Sequence, residues 1–126
     1  MRSRVPALAL ASVLLFAACG DSGEVGESIE GQDVVVDMYD NRFQYTHIEI
    51  PVGGTVNWVG AGRNPHNAVE ANGAWSTESV FGSLEQLEGD EATLTYDQPG
   101  EYVFFCTFHG NAEGDGMAGV LVVGES

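Results

Sequence analysis

The chain has 126 residues, 44% of them apolar, with 17 glycines and a mean hydropathy of −0.03; this fits one compact soluble domain and argues against a membrane channel or full disorder. Its formal charge is −15, from 19 acidic residues against four arginines and no lysine. Such a field opposes nucleic acid and favours basic partners or bound cations, and a salt-adapted or merely soluble surface would carry the same charge.

Arg2 and Arg4 give the chain a positive start, followed by Val5–Ala18, an almost unbroken apolar run of 14 residues. The run is too short to cross a hydrocarbon layer of ~30 Å as a helix and suits a signal peptide over residues 1–18. Its end, Phe16-Ala17-Ala18-Cys19, resembles a bacterial lipobox, with Phe16 where leucine is commoner. The resemblance implies cleavage before Cys19 and acylation there, so the protein is expected to be exported and lipid-anchored, on the outer face of the cytoplasmic membrane or in the periplasm. An ordinary signal peptide with an incidental Cys19 is the competing reading. Loss of residues 1–18 leaves Arg42 and Arg63 against all 19 acidic groups, a charge of −17.

Residues 19–32 are rich in Gly, Ser, Glu and Asp, with only Val25 and Ile29 to bury, and are expected to form a flexible acidic tether to a domain over 33–126. Within that domain, short apolar or alternating runs separated by turn residues predict an all-β sandwich. Strands are expected at Val34–Met38, Tyr45–Ile50, Thr55–Val59, His66–Glu70, Ala92–Tyr96, Glu101–Cys106 and Ala118–Val123. The tight-turn sequences Pro51–Gly54 and Asp97–Gly100 join flanking strands as hairpins or corners, and Gly82–Leu87 is expected to form a turn or two of helix. If both pairs run in the same sense, the two short turns share one end of the sandwich. Gly60–Pro65 and Thr107–Gly116 then share the other, which brings His66 towards Cys106 and His109.

Alternation along Glu101–Cys106 puts Tyr102, Phe104 and Cys106 on one face and Val103 and Phe105 on the other, so Cys106 ends a strand facing the core. With Cys19 acylated, Cys106 has no disulfide partner, and a lone thiol in an oxidising compartment is a liability unless something protects or uses it. Two imidazoles (His66 and His109), one thiolate (Cys106) and a thioether (Met117) match the trigonal His2Cys set with a weak axial Met used by copper electron-transfer sites. Taken singly, each has an ordinary account: a buried inert thiol, a surface histidine, a methionine filling the core. His47 alternates with Ile48 and Ile50 and is expected to face solvent; Met38 reads as core or rim.

From about Asn41 to Val123 the chain resembles the cupredoxins, small blue copper proteins of the plastocyanin and halocyanin type. The residues that carry the likeness are NRFQYTHIEIPVGGTVNW (Phe43, Ile48, Ile50, Gly54, Thr55, Val56, Trp58), Pro65-His66-Asn67, GEYVFFCTFHG with Cys106 and His109, and MAGVLVV, which begins at Met117. The resemblance implies a Greek-key sandwich of about seven to eight strands and one type 1 Cu(I)/Cu(II) ion held by His66, Cys106, His109 and Met117. Asn67 is expected to bond the cysteine loop from behind the ligands, with simple turn chemistry as the alternative. Phe105 stands where plastocyanin-like proteins often show a docking tyrosine, with packing under a loop as the alternative. One departure is the seven residues between His109 and Met117, where four are commoner; loop closure rises by only ~0.6 kcal/mol per doubling of length, so Met117 is retained.

The function expected is that of a monomeric one-electron carrier and not an enzyme, because four protein ligands leave the ion no open position for a substrate. Redox proteins with a basic docking face are the expected partners, meeting an apolar rim around His109 formed by Phe105, Phe108 and Ala112. Copper storage or delivery by a lipid-anchored protein is the alternative.

Overall fold

In the computed structural model, which describes residues 26–124, nine strands and one helical turn occur among the described residues. The strands are β1 (Ser28–Glu30), β2 (Asp33–Tyr39), β3 (Arg42–Phe43), β4 (His47–Pro51), β5 (Gly54–Gly60), β6 (Val69–Glu70), β7 (Glu91–Tyr96), β8 (Gly100–Gly110) and β9 (Gly116–Gly124), with α1 (Glu78–Phe81) between β6 and β7. They form two sheets of strand order β1-β4-β9-β8-β6 and β3-β2-β5-β7. Period-two burial explains the pairing of the layers: Val34, Val36 and Met38 of β2, Val56 and Trp58 of β5, Ile48 and Ile50 of β4, and Phe104 and Cys106 of β8 all point inward.

The turns at Pro51–Gly54 and Asp97–Gly100 are corners, since each carries the chain from one sheet to the other in a Greek-key sandwich. They lie side by side: Gly53 N donates to Tyr96 O at 2.7 Å, and Gly54 pairs with Tyr96 across β5 and β7. Strands β5 and β8 therefore both deliver their far ends to the opposite pole, β5 leading into His66 and β8 carrying Cys106 and His109. Beneath that pole Phe43, Trp58 and Phe104 meet edge to face, with centroids 4.9 to 5.7 Å apart. Such pairs contribute about 0.5–1.5 kcal/mol each beyond their area, so the floor of the pole is stiff.

Several expected elements are corrected. The strand expected over His66–Glu70 shrinks to Val69–Glu70, because Ala68 N donates to Thr77 Oγ1 and His66 pairs instead with Gln86. The helix lies at Glu78–Phe81 and not within Gly82–Leu87; Gly82, in the left-handed region at φ 92°, closes it by donating to Glu78 O at 2.8 Å. The strand expected to start at Tyr45 starts at His47. The tether over 19–32 is interrupted by β1, whose Ile29 lies opposite Ile48 of β4. Residues 1–18, Cys19 and the tether as far as Val25 lie outside the described residues. Finally, Thr107–Gly116 is not an open connection, for β8 continues to Gly110 and pairs it with Gly116.

Candidate metal centre

His66 reaches the pole on the segment after β5 and is held there by its own backbone. Its N–H donates to Gln86 O and its carbonyl accepts from Gln86 N, both at 3.0 Å. The Gln86 side chain is itself buried and donates to Trp58 O at 3.0 Å and Asp90 O at 3.2 Å, so this bridge is anchored to β5. Asn67 faces the other loop. It accepts from Thr107 N at 3.0 Å and donates to Thr107 Oγ1 at 2.8 Å and Leu84 O at 2.9 Å.

Cys106 and His109 come from the extended hairpin of β8 and β9. The three side chains converge: ligand-type atoms of His66, Cys106 and His109 all lie within 4.8 Å of one another, and the two imidazole centroids are 5.2 Å apart. His66 Nδ1 stands 3.7 Å from Cys106 Sγ. His66 and Cys106 are fully buried, and His109 is half-buried. Met117, buried in the core cluster, lies in the irregularity that breaks the β8–β9 register between Gly116 and Ala118.

The seven residues after His109 are ordered by their own chemistry. Asn111 Oδ1 accepts from Glu113 N and Asp115 N, and Asn111 N donates to Asp115 O at 3.2 Å. Gly116 turns the chain back at φ 73°, with its Cα against the His109 carbonyl, where a Cβ would collide. The extra residues thus make a hairpin tip and not slack, so loop-closure entropy is not what governs Met117.

Behind His66 lies a residue that the sequence does not single out. Asp40 Oδ1 accepts from His66 Nε2 at 2.8 Å, and its carboxylate also accepts from the backbone N–H of Arg63 at 3.2 Å and Asn64 at 3.1 Å. The His66 hydrogen bond, then that from Asn64, holds the Asp40 carboxyl at about 2, below the ordinary 3.8. A carboxylate only accepts, so Nε2 is the donor, and in the neutral ring this leaves the lone pair on Nδ1, the atom facing Cys106. The one local signal for Asp40 is Asn41, a turn residue that adopts φ 74° between β2 and β3.

The donors also fit an ion. His109 Nδ1 is buried without a hydrogen-bond partner, a state that costs about 1–3 kcal/mol unless a ligand relieves it. Metal bonds of about 2.0 Å to nitrogen and 2.3 Å to sulfur, at about 120°, put such donors roughly 3.7 Å apart, the separation of His66 Nδ1 and Cys106 Sγ. One soft sulfur with two imidazoles suits copper in both oxidation states.

Residues 32–124 match the copper binding proteins of the plastocyanin/azurin family. The chain is a cupredoxin. Amicyanin from Paracoccus denitrificans is 28% identical over 76 residues, which span 60% of this cupredoxin and 57% of amicyanin. Among solved structures, the copper-containing nitrite reductase of Thermus scotoductus superposes with a TM-score of 0.60 at 27% identity, over 78% of the cupredoxin but 24% of the reductase. A purple cupredoxin from Nitrosopumilus maritimus gives 0.55 at 22% identity, over 71% of this chain and 98% of that one, a likeness of fold. The His, Cys, His set of this cupredoxin fits a single type 1 copper.

The remaining singled-out residues fall as follows. Phe105 is half-buried on the outer face of β8, opposite Val69 and Ala118. Phe108 is 45% exposed and Ala112 is exposed on the hairpin tip. His47 points outward and pairs with Glu49 at 2.9 Å, away from the pole, while Met38 is core.

Proposed function

We propose that this cupredoxin is a one-electron carrier with a type 1 copper centre, and not an enzyme. His66, Cys106 and His109 would hold the ion, with the Met117 thioether as a fourth, weaker donor. A bound copper supplies a Cu(II)/Cu(I) couple that takes or gives one electron. The chain's part is to fix the donors and keep water away. The Gln86 bridge, the Asn67 bonds and the aromatic floor hold the donor-bearing segments in one arrangement, so a change of oxidation state meets little reorganisation. The observation that carries this reading is the convergence of His66 Nδ1 and an imidazole nitrogen of His109 on a buried cysteine sulfur, with His109 Nδ1 itself buried and unpartnered.

His109 is the more exposed of the two imidazoles and gives a partner an edge to approach. Phe108 and Ala112, with Phe105 further back, form the apolar rim, and Glu113 and Asp115 beside it favour a redox protein with a basic docking face. Export and anchoring through Cys19 would hold the monomer at the outer face of the cytoplasmic membrane or in the periplasm.

The test is the visible spectrum of the purified protein with one equivalent of Cu(II), followed through repeated chemical reduction and oxidation. Intense thiolate-to-copper charge-transfer colour that bleaches and returns without loss of metal is expected. Absence of colour would remove the copper centre, and release of metal on reduction would point to storage or delivery.

A further inference from the structure

We propose that Asp40 is the positioning carboxylate of this centre: it holds the His66 ring with Nδ1 turned to Cys106, and its charge biases the bound ion towards the cupric state. The proposal rests on the copper reading above and concerns what tunes that site.

The geometry is specific. Asp40 reaches His66 from 26 residues away, out of the turn between β2 and β3, at a hydrogen-bond length of 2.8 Å. The carboxylate is itself aimed. Two backbone N–H groups, of Arg63 and Asn64, donate to it, and Asn41 in the left-handed region sets the turn from which it projects. The segment leading to His66 wraps tightly over it, since a Cβ on Gly62 would collide with Asp40 Oδ1. Segment and carboxylate are therefore built as one unit with the imidazole.

Two consequences follow from elementary chemistry. A neutral imidazole has one N–H and one lone pair, and an anion at Nε2 selects the tautomer whose lone pair is at Nδ1, the atom beside Cys106 Sγ. A negative charge one ring's width from the ion also makes the imidazole a stronger donor and favours the more highly charged oxidation state. The His66 ring is fully buried while Asp40 keeps a third of its side-chain surface, 33%, in water, so the charge is partly screened on its outer side and acts on the ion through the ring. His109 has no such partner, because its Nδ1 is the unpartnered atom and no hydrogen bond to its ring occurs among the described residues. The two imidazoles are thus unequal, and the asymmetry lies on the buried side.

The test uses the copper-loaded full domain and three variants. D40N retains an oxygen acceptor and removes the charge; E101Q removes an exposed charge at the opposite pole, on β8, as a control; D40A removes the acceptor altogether. D40N is expected to stay coloured while its Cu(II)/Cu(I) equilibrium moves about tenfold towards Cu(I), a rise of about 59 mV for one electron. E101Q is expected to move it less than about twofold. Nitrogen NMR of the copper-free wild type, taken at a pH high enough that the ring shows the shifts of a neutral imidazole, should show His66 as the Nε2–H tautomer, and D40A should show a mixture. An Nδ1–H tautomer in the wild type, or a D40N equilibrium no different from that of E101Q, would overturn the proposal. If D40N loses copper or fails to fold, the wild-type tautomer decides alone. A colourless wild type is instead the failure of the copper reading, and is seen before any variant is compared.

Discussion

Asn67 and Thr107, forty residues apart, are joined by two hydrogen bonds: Thr107 N donates to Asn67 Oδ1 at 3.0 Å, and Asn67 Nδ2 donates to Thr107 Oγ1 at 2.8 Å. A third bond, from Nδ2 to Leu84 O, ties the same amide to the stretch before Gln86. This one side chain therefore spans the neighbours of His66 and of Cys106. At about 0.5–1.5 kcal/mol per bond, N67A is expected to lower the stability of the copper-free protein by about 2–4 kcal/mol in urea unfolding. A loss below about 0.5 kcal/mol would show that the loops hold without it.

Gly116 is required twice, by its positive φ and by its approach to the His109 carbonyl. G116A should lose about 2 kcal/mol or more, from left-handed strain of about 1–2 kcal/mol plus displacement of His109, and should retain copper more weakly. Gly53 also has a positive φ, at 89°, but nothing within 4 Å and lies at the opposite pole. G53A should cost stability alone. Equal copper retention by the two variants, measured by competition with a chelator, would disprove a link between the hairpin and the site.

Met117 is buried at 1% exposure, so M117L conserves volume and is expected to cost less than about 1.5 kcal/mol. Voltammetry should find a raised potential with the colour largely intact. Bleaching in M117L would contradict the proposal that the thioether is only a weak fourth donor.

Tyr96 makes stability depend on alkaline pH. Its hydroxyl accepts from Trp58 Nε1 at 3.1 Å, and burial pushes its ionisation far above the ordinary 10.0. A group whose value is raised by folding contributes its full share below the unfolded value and loses it as pH rises beyond that, here above 10. This loss runs at about 1.4 kcal/mol per pH unit for one group. Y96F strands the Trp58 N–H and should be less stable at neutral pH by about 1–3 kcal/mol. The gap to wild type should then narrow above pH 10, where parallel curves would contradict the assignment.

The acidic surface predicts electrostatic steering of a basic partner. Electron exchange with a cationic protein should slow as the Debye length falls from about 30 Å at 0.01 M salt to about 8 Å at 0.15 M. A rate indifferent to salt would remove the steering role.

The sandwich is largely legible in the sequence because each long strand carries its own period-two signal, as in Val34, Val36 and Met38 or Phe104 and Cys106. The meeting of His66 with Cys106 is legible at one remove: two short turns with Gly at fixed positions must sit at one pole, which sends both segments to the other. What is hidden depends on contacts without local pattern. Strand β1, Ser28–Glu30, buries only part of Ile29 and exists because β4 offers it an edge. Gln86 falls in the stretch expected to be helical and is instead extended and buried through its pairing with His66. Asp40 is one acid among 19, distinguished solely by where the turn at Asn41 aims it. The length between His109 and Met117 is visible, but that it folds into a tip closed by Asn111 and Asp115 is a property of those side chains together.

The central claim is that Cys106 sulfur and imidazole nitrogens of His66 and His109 share one copper ion. Copper-edge X-ray absorption on the loaded protein and on C106S tests it most directly. The account predicts one short copper–sulfur shell with two imidazole nitrogens in the wild type, and loss of that sulfur shell in C106S. A wild-type spectrum with nitrogen and oxygen neighbours alone, or one that C106S leaves unchanged, would contradict it.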